Sequence, residues 1–183
     1  MIRDIKDDVK KVLYSEEQLA KRIKEMAEEI SKDYAGKDLL VVGILKGSVL
    51  FTSDLIKNIT IPCEIDFMAV SSYGNSAQTS GVVRILKDLD SDIENKHVLI
   101  VEDIVDTGTT LSYLLEYLKA RKAASIEIVA LLDKEARRTS NISAKYKGFD
   151  VPDEFIVGYG IDYAEKYRNL PFIGALKEEI YNK

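Results

Sequence analysis

Between His97 and Leu111 the chain reads His-Val-Leu-Ile-Val-Glu-Asp-Ile-Val-Asp-Thr-Gly-Thr-Thr-Leu, and few folds accommodate that order. A β-favouring, mostly apolar run enters two adjacent carboxylates, Glu102 and Asp103. A turn of small and hydroxylated residues follows, Asp106-Thr107-Gly108-Thr109-Thr110, and then an amphipathic helix. In open α/β sheets, ligands bind beyond the carboxyl ends of the strands, where such turns lie. The first N–H groups of a helix have no partner within it, and the helix dipole adds positive charge, so the turn suits a phosphate. Glycine lets the backbone approach closely, and the threonine hydroxyls add donors. Glu102 and Asp103 repel a phosphate but suit sugar hydroxyls or a hydrated cation. A phosphate seat beside hydroxyl acceptors reads as a ribose 5-phosphate pocket.

The flanking sequence supplies the rest of an α/β sheet. Ser15-Glu16-Glu17-Gln18 has the form of a capping box, and Leu19, Ile23, Met26 and Ile30 recur at helical spacing up to a stop at Gly36. Leu39 to Ile44 is a continuous apolar run, as in a parallel strand covered on both faces. Lys46-Gly47-Ser48 breaks it, and a helix is expected to about Asn58. Ile61 to Ser71 alternates and predicts a strand, Val82 to Leu86 a second short one, and Ser125 to Leu132 and Phe155 to Val157 two more. Residues 72–81 hold almost nothing to bury and are expected to form a mobile loop. Strands alternating with helices predict a mostly parallel sheet, in one domain spanning 1–183.

Composition narrows the function classes. Hydrophobic residues make up 46% and charged residues 31%, within the globular range. A net charge of −5 gives no general attraction to nucleic acid or anionic membrane, so neither is expected as a partner. The charged stretch from Met1 to Lys11 is unlike a signal peptide, and no apolar run has the length of a membrane span. One cysteine, Cys63, and one histidine, His97, allow neither an intrachain disulfide nor a Cys/His zinc site. A cytoplasmic protein is the expectation.

The string from His97 to Leu111 resembles the phosphoribosyl-diphosphate (PRPP) motif of the type I phosphoribosyltransferases. The similarity extends from Leu39 to Leu170, through stations that resemble those of the 6-oxopurine branch in the same order. The resemblance implies a twisted, mostly parallel sheet flanked by helices, with a small purine-covering hood formed mainly by 150–183 and possibly by the N-terminal segment. Leu45-Lys46-Gly47 resembles the pyrophosphate-binding segment, in which members often have a non-proline cis peptide before the lysine. Ser71-Ser72-Tyr73-Gly74 looks like the lid whose Ser72-Tyr73 pair closes over PRPP. Lys134, after Leu131-Leu132-Asp133, matches the lysine that donates to the 6-oxygen; a lysine has donors only, so it discriminates against a 6-amino group. Val151-Pro152-Asp153-Glu154-Phe155-Ile156 looks like the hood, with Phe155 stacking on the purine and the Ile156 carbonyl accepting from its edge. Asp162 resembles the magnesium ligand, with Glu102 and Asp103 as further candidates directly or through water, and Arg168 the pyrophosphate-binding arginine. Two positions depart from the pattern: Ser48 follows Gly47 where many members have a second glycine, and Thr109 stands where some have lysine.

The implied activity joins hypoxanthine or guanine to PRPP with magnesium, giving IMP or GMP and pyrophosphate. PRPP would be held by Lys46, Gly47, Ser72, Tyr73, Glu102, Asp103, Asp106, Thr107, Gly108, Thr109, Thr110 and Arg168, with Asp106 the candidate acid or base at purine N7. Resemblance also implies a homodimer or homotetramer. Two alternatives stay open at this point, a preference for xanthine and a nucleic-acid-binding regulator that retains the fold.

Overall fold

The computed structural model describes residues 4–72 and 83–182. Six strands form the main sheet: β2 (Leu39–Leu45), β3 (Glu64–Ser72), β4 (Val83–Lys87), β5 (His97–Val105), β6 (Ser125–Asp133) and β7 (Tyr146–Asp150). Their spatial order is β4-β3-β2-β5-β6-β7, parallel throughout except for β4, which pairs antiparallel with β3. Three strands form a second, antiparallel sheet in the order β1 (Val9–Tyr14), β9 (Ile173–Leu176), β8 (Ile156–Val157).

Helices cover both faces of the main sheet. On one side lie α1 (Glu16–Asp33) and α2 (Val49–Asn58), whose Leu19, Ile23, Met26, Phe51 and Leu55 pack with Val41, Leu99 and Val101 of the sheet. On the other, α3 (Thr109–Lys119) packs Leu111, Leu114 and Leu118 against Val42, Val98, Ile100 and Ile128. This accounts for the unbroken apolar runs in β2 and β5, which are buried from both sides. The capping box forms as read: Gln18 N–H donates to Ser15 Oγ at 3.3 Å, and Ser15 N–H donates to Gln18 Oε1 at 2.8 Å. A single turn, α4 (Glu178–Tyr181), follows β9.

Three strands went unrecognised in the sequence: β1, β7 and β9. The alternation from Ile61 also misreads β3. The strand begins at Glu64, its buried residues include Asp66 and Met68, and Ile65 is 50% exposed. Of the loop expected over 72–81, residues 73–81, with the lid position Tyr73, lie outside the described residues, and Ser72 is the last residue of β3 rather than loop. Among the described residues no helix is long and apolar enough to cross a membrane.

The strand order fixes where a ligand can sit. From β2 the chain winds outward through β3, and from β5 it winds the opposite way through β6. The two central strands are neighbours, joined in register from Leu39↔His97 to Gly43↔Val101. Their carboxyl ends therefore open a crevice at the reversal point, where open α/β sheets hold their ligands. The Lys46-Gly47 turn and the Asp106–Thr110 turn both leave the sheet there.

Candidate active site

Glu102 and Asp103 are consecutive on β5, so they turn to opposite sides. Asp103 turns toward the Lys46-Gly47 turn: a Cβ placed on Gly47 would collide with its carboxylate. Its Oδ1 accepts from Ile104 N–H at 2.7 Å. Burial raises the carboxyl to about 6, opposed by the Ile104 amide and the charge of Arg168. Glu102 turns the other way, into a small cavity of about 100 Å³ that it shares with Asp106, Thr107, Gly108 and Thr110. Its Oε2 is buried without a hydrogen-bond partner, and burial together with the neighbouring Asp103 charge holds the carboxyl well above the usual range. Both would accept a proton, a hydroxyl or a cation readily.

The phosphate-type turn has the expected local form. Gly108, at φ +81°, is the residue before α3 and has no side chain to cap it. Beyond the Thr109 amide, the first-turn amides have no side-chain cap, and Thr110 and Leu111 line the cavity. Thr107 Oγ1 lies 3.3 Å from Thr109 Oγ1 and accepts weakly from Thr109 N–H at 3.4 Å. A buttress behind this turn was not evident in the sequence. Arg138 Nε donates to the Asp106 carbonyl at 3.0 Å and Nη2 to the Val105 carbonyl at 3.3 Å, while the guanidinium also pairs with Asp133 and the Ile142 carbonyl. Ser140 Oγ donates to the Thr107 carbonyl at 2.9 Å. Within the charged run 133–138, no local pattern singles out Arg138 as the residue that is turned inward.

A larger cleft of about 590 Å³ opens between the main sheet and the second sheet. Its walls include Ile104 and Asp106 from the β5 end, Lys134 and Arg137 after β6, and Phe155 and Ile156 at β8. Ile104 was not anticipated here. Asp106 borders both this cleft and the small cavity, and its Oδ1 is buried without a partner. Lys134 is only 6% exposed, so it is no ordinary surface lysine. Its N–H bonds to the Val105 carbonyl at 2.9 Å, and its ammonium donates to the Glu154 carbonyl at 2.8 Å and lies 3.6 Å from Asp153.

Strand geometry turns the Ile156 carbonyl away from β9, and Ile156 lines the cleft. Leu176 N–H donates to the Phe155 carbonyl at 2.8 Å, and Ile156 stands opposite Ala175. Carbonyls alternate along a strand, so that of Ile156 points to the free edge of β8. Phe155 is 39% exposed, with Tyr181 stacked on it at 4.7 Å and Tyr163 edge-on at 5.2 Å.

Lys46 follows a cis peptide, Leu45–Lys46. Its ammonium meets Glu165 Oε2 at 2.9 Å. Arg168 Nη1 donates to the Gly160 carbonyl at 2.8 Å, and its Nη2 pairs with Asp162 Oδ1 at 2.9 Å. Asp162 Oδ2 accepts from Glu165 N–H at 2.9 Å. No cluster of three or more metal-ligating side chains occurs among the described residues. The oxygen-only donors and the unpartnered Glu102 Oε2 fit magnesium, which keeps several waters and takes one or two carboxylates plus substrate oxygens.

Comparison with known proteins gives the chain its family. A phosphoribosyl transferase domain model matches residues 10–164. The hypoxanthine-guanine phosphoribosyltransferase of Bacillus subtilis is 54% identical over 177 residues, covering 97% of this chain and 98% of that protein. The bifunctional protein TilS/HprT of Listeria monocytogenes is 53% identical over 177 residues, and the chain spans 27% of its length. A crystal structure of a hypoxanthine phosphoribosyltransferase from Staphylococcus aureus superposes with a TM-score of 0.96 at 55% identity, covering all of both chains. The chain thus has the type I phosphoribosyltransferase fold and belongs to the phosphoribosyl transferase family, in its hypoxanthine-guanine branch.

Proposed function

We propose that the protein is a purine-salvage enzyme that transfers the 5-phosphoribosyl group of PRPP to N9 of hypoxanthine or guanine, giving IMP or GMP and pyrophosphate. The observation that carries this reading is Lys134: a lysine buried at the end of β6 that lines a cleft with Phe155 and Ile156, the Ile156 carbonyl being on the free edge of β8. A donor at one edge and an acceptor at the other complement a 6-oxopurine that carries N1–H or a 2-amino group. Adenine presents a 6-amino donor to Lys134, and xanthine a 2-oxo acceptor to Ile156.

The 5-phosphate sits on the Thr107–Thr110 turn, against the open amides of α3 and the threonine hydroxyls. Lys46, Gly47 and Arg168 hold the diphosphate, with Ser72 and Tyr73 closing over it. Glu102 and Asp103 accept from the ribose hydroxyls. As the C1′–diphosphate bond breaks, positive charge grows on the sugar, as in glycoside chemistry, and these carboxylates stabilise it. The N9 lone pair forms the new bond to C1′, and the N7 proton passes to Asp106, which lies between the base cleft and the sugar-phosphate cavity. Magnesium, when bound, neutralises leaving-group charge on the diphosphate. Asp162 would hold it, with Glu102 and Asp103 contributing directly or through water.

The protein is read as one domain, its residues 150–183 and β1 forming the purine hood. It is further proposed to be cytoplasmic and to assemble as a homodimer or homotetramer, for which the half-exposed Ile65 and Leu86 at the β3–β4 edge offer apolar surface to bury. The deciding experiment is PRPP-dependent turnover with hypoxanthine, guanine, xanthine, adenine and uracil. Turnover of hypoxanthine and guanine well above the other three is expected; preferential use of adenine or uracil would overturn the assignment.

A further inference from the structure

Lys46 and Arg168 come from distant parts of the chain, and a single carboxylate meets both. Glu165 Oε2 lies 2.9 Å from Lys46 Nζ, and Glu165 Oε1 lies 3.4 Å from Arg168 Nη2. Each oxygen thus takes one of the two cations assigned above to the diphosphate. The Glu165 amide also donates to Asp162, which pairs with the same Arg168 nitrogen. Carboxylate and phosphate oxygens are interchangeable partners for such cations. Those two pairs hold the Glu165 carboxyl below its usual range.

The backbone that presents Glu165 runs against local preference. Tyr163 N–H donates to the Lys166 carbonyl at 3.1 Å, and Lys166 N–H donates back at 3.0 Å. Between them, Ala164 and Glu165 have φ of +50° and +62°. A two-residue connection with both residues left-handed is a type I′ turn, a position dominated by asparagine and glycine because other side chains crowd the backbone. An alanine and a glutamate occupy it here. Nothing in their own propensities favours the turn, whereas its geometry delivers the carboxylate to Lys46 and Arg168.

We infer that Glu165 is a positioning residue that serves as the resident anion of the diphosphate seat. It holds Lys46 and Arg168 together in the empty site and must yield them when a diphosphate arrives. It thereby limits affinity for PRPP and eases release of pyrophosphate. The inference rests on the assignment of Lys46 and Arg168 to the diphosphate. Glu165 and Lys46 side chains are 66% and 68% exposed, and exposed ion pairs are weak, so displacement is easy and the effect is severalfold rather than large.

The test is calorimetric binding of inorganic pyrophosphate to the whole protein, beside KM for PRPP and for hypoxanthine, in Glu165→Gln, Glu165→Gly, Lys46→Met and the Glu165→Gln/Lys46→Met pair. Glutamine keeps the shape, and glycine suits the left-handed backbone, so neither result depends on one variant folding. Both Glu165 variants should bind pyrophosphate about threefold to fivefold tighter and lower the KM for PRPP, while the KM for hypoxanthine does not follow. Lys46→Met should weaken pyrophosphate binding and cancel most of the gain from Glu165→Gln. If Lys46→Met weakens binding but neither Glu165 variant tightens it, the resident-anion role is wrong. If Lys46→Met leaves pyrophosphate binding unchanged, the diphosphate assignment itself fails and takes this inference with it.

Discussion

Burial raises the Asp103 carboxyl to about 6, although in an unfolded chain an aspartate titrates near 4. Between about pH 4 and 6 the folded protein therefore keeps a proton that the unfolded chain has lost. The contribution of Asp103 to stability falls as pH rises through that window and levels off above it. Asp103→Asn should stabilise the ligand-free protein at pH 7.5 by up to about 3 kcal/mol, leave it little changed at pH 4, and weaken PRPP binding. Urea melts at the two pH values, with PRPP titrations, check this; an equal shift at both would place the penalty elsewhere. Lys134 gives a second residue-scale expectation. Its removal leaves the purine 6-oxygen without a donor in a confined site, a loss of roughly 1–3 kcal/mol. Lys134→Gln should raise KM for hypoxanthine and guanine together and narrow the discrimination against adenine, with PRPP affinity nearly unaltered. Retained oxopurine efficiency with adenine still excluded would reduce Lys134 to a structural lysine.

Elements differ in how plainly the sequence announces them. β5 and α3 carry a long apolar run, a glycine-threonine turn and a leucine stripe, all local signals, and they appear where read. The short strands do not. Val9-Lys10-Lys11-Val12-Leu13-Tyr14 has no clean period because its ladder with Ile173–Leu176 slips twice, between Val9 and Lys11 and between Val12 and Tyr14. In Tyr146-Lys147-Gly148-Phe149-Asp150 the glycine suggests a break, yet the strand continues beside β6. Charge alone also hides Arg138, whose role depends on carbonyls from Val105, Asp106 and Ile142 that meet only in three dimensions. Its guanidinium is 13% exposed and pairs with an Asp133 that is 10% exposed. Arg138→Met leaves that carboxylate only the more distant Lys147, at 3.8 Å, and releases the turn before α3. A loss of about 3 kcal/mol in stability is expected, with a larger rise in KM for PRPP than for the purine. Chemical denaturation and steady-state kinetics on the same variant check both; a neutral substitution would mean the turn holds its shape alone.

The whole molecule is two sheets meeting along a cleft, and their seam shares a core in which Ile156 and Ile173 pack with Val129, Leu131 and Leu132. Tyr14 of β1 stacks on Phe149 of β7 at 4.1 Å and donates to the Asp150 carbonyl at 2.5 Å. Within the second sheet, Tyr167 donates to the buried Asp8 at 2.8 Å, and Lys177 N–H to the Asp8 carbonyl at 2.9 Å. Tyr14→Ala should remove about 2 kcal/mol of stability and raise KM for the purine more than for PRPP, because the phosphate turn belongs to the main sheet alone. The reverse ratio would show that the seam does not frame the base.

That seam also bears on how such an enzyme can change its diet. The turns at 46–47 and 106–110 stand on the parallel sheet, whereas the base cleft borrows one wall from a different sheet, and Arg168 and Asp162 link that region to the diphosphate seat. Donor chemistry and acceptor choice are therefore separately mutable. Randomising Asp153, Phe155 and Ile156, with Ile161, Asp162 and Arg168 kept, explores new heterocycles while the sugar-phosphate turns keep their support, so most members of such a library should still bind PRPP even where they no longer accept hypoxanthine.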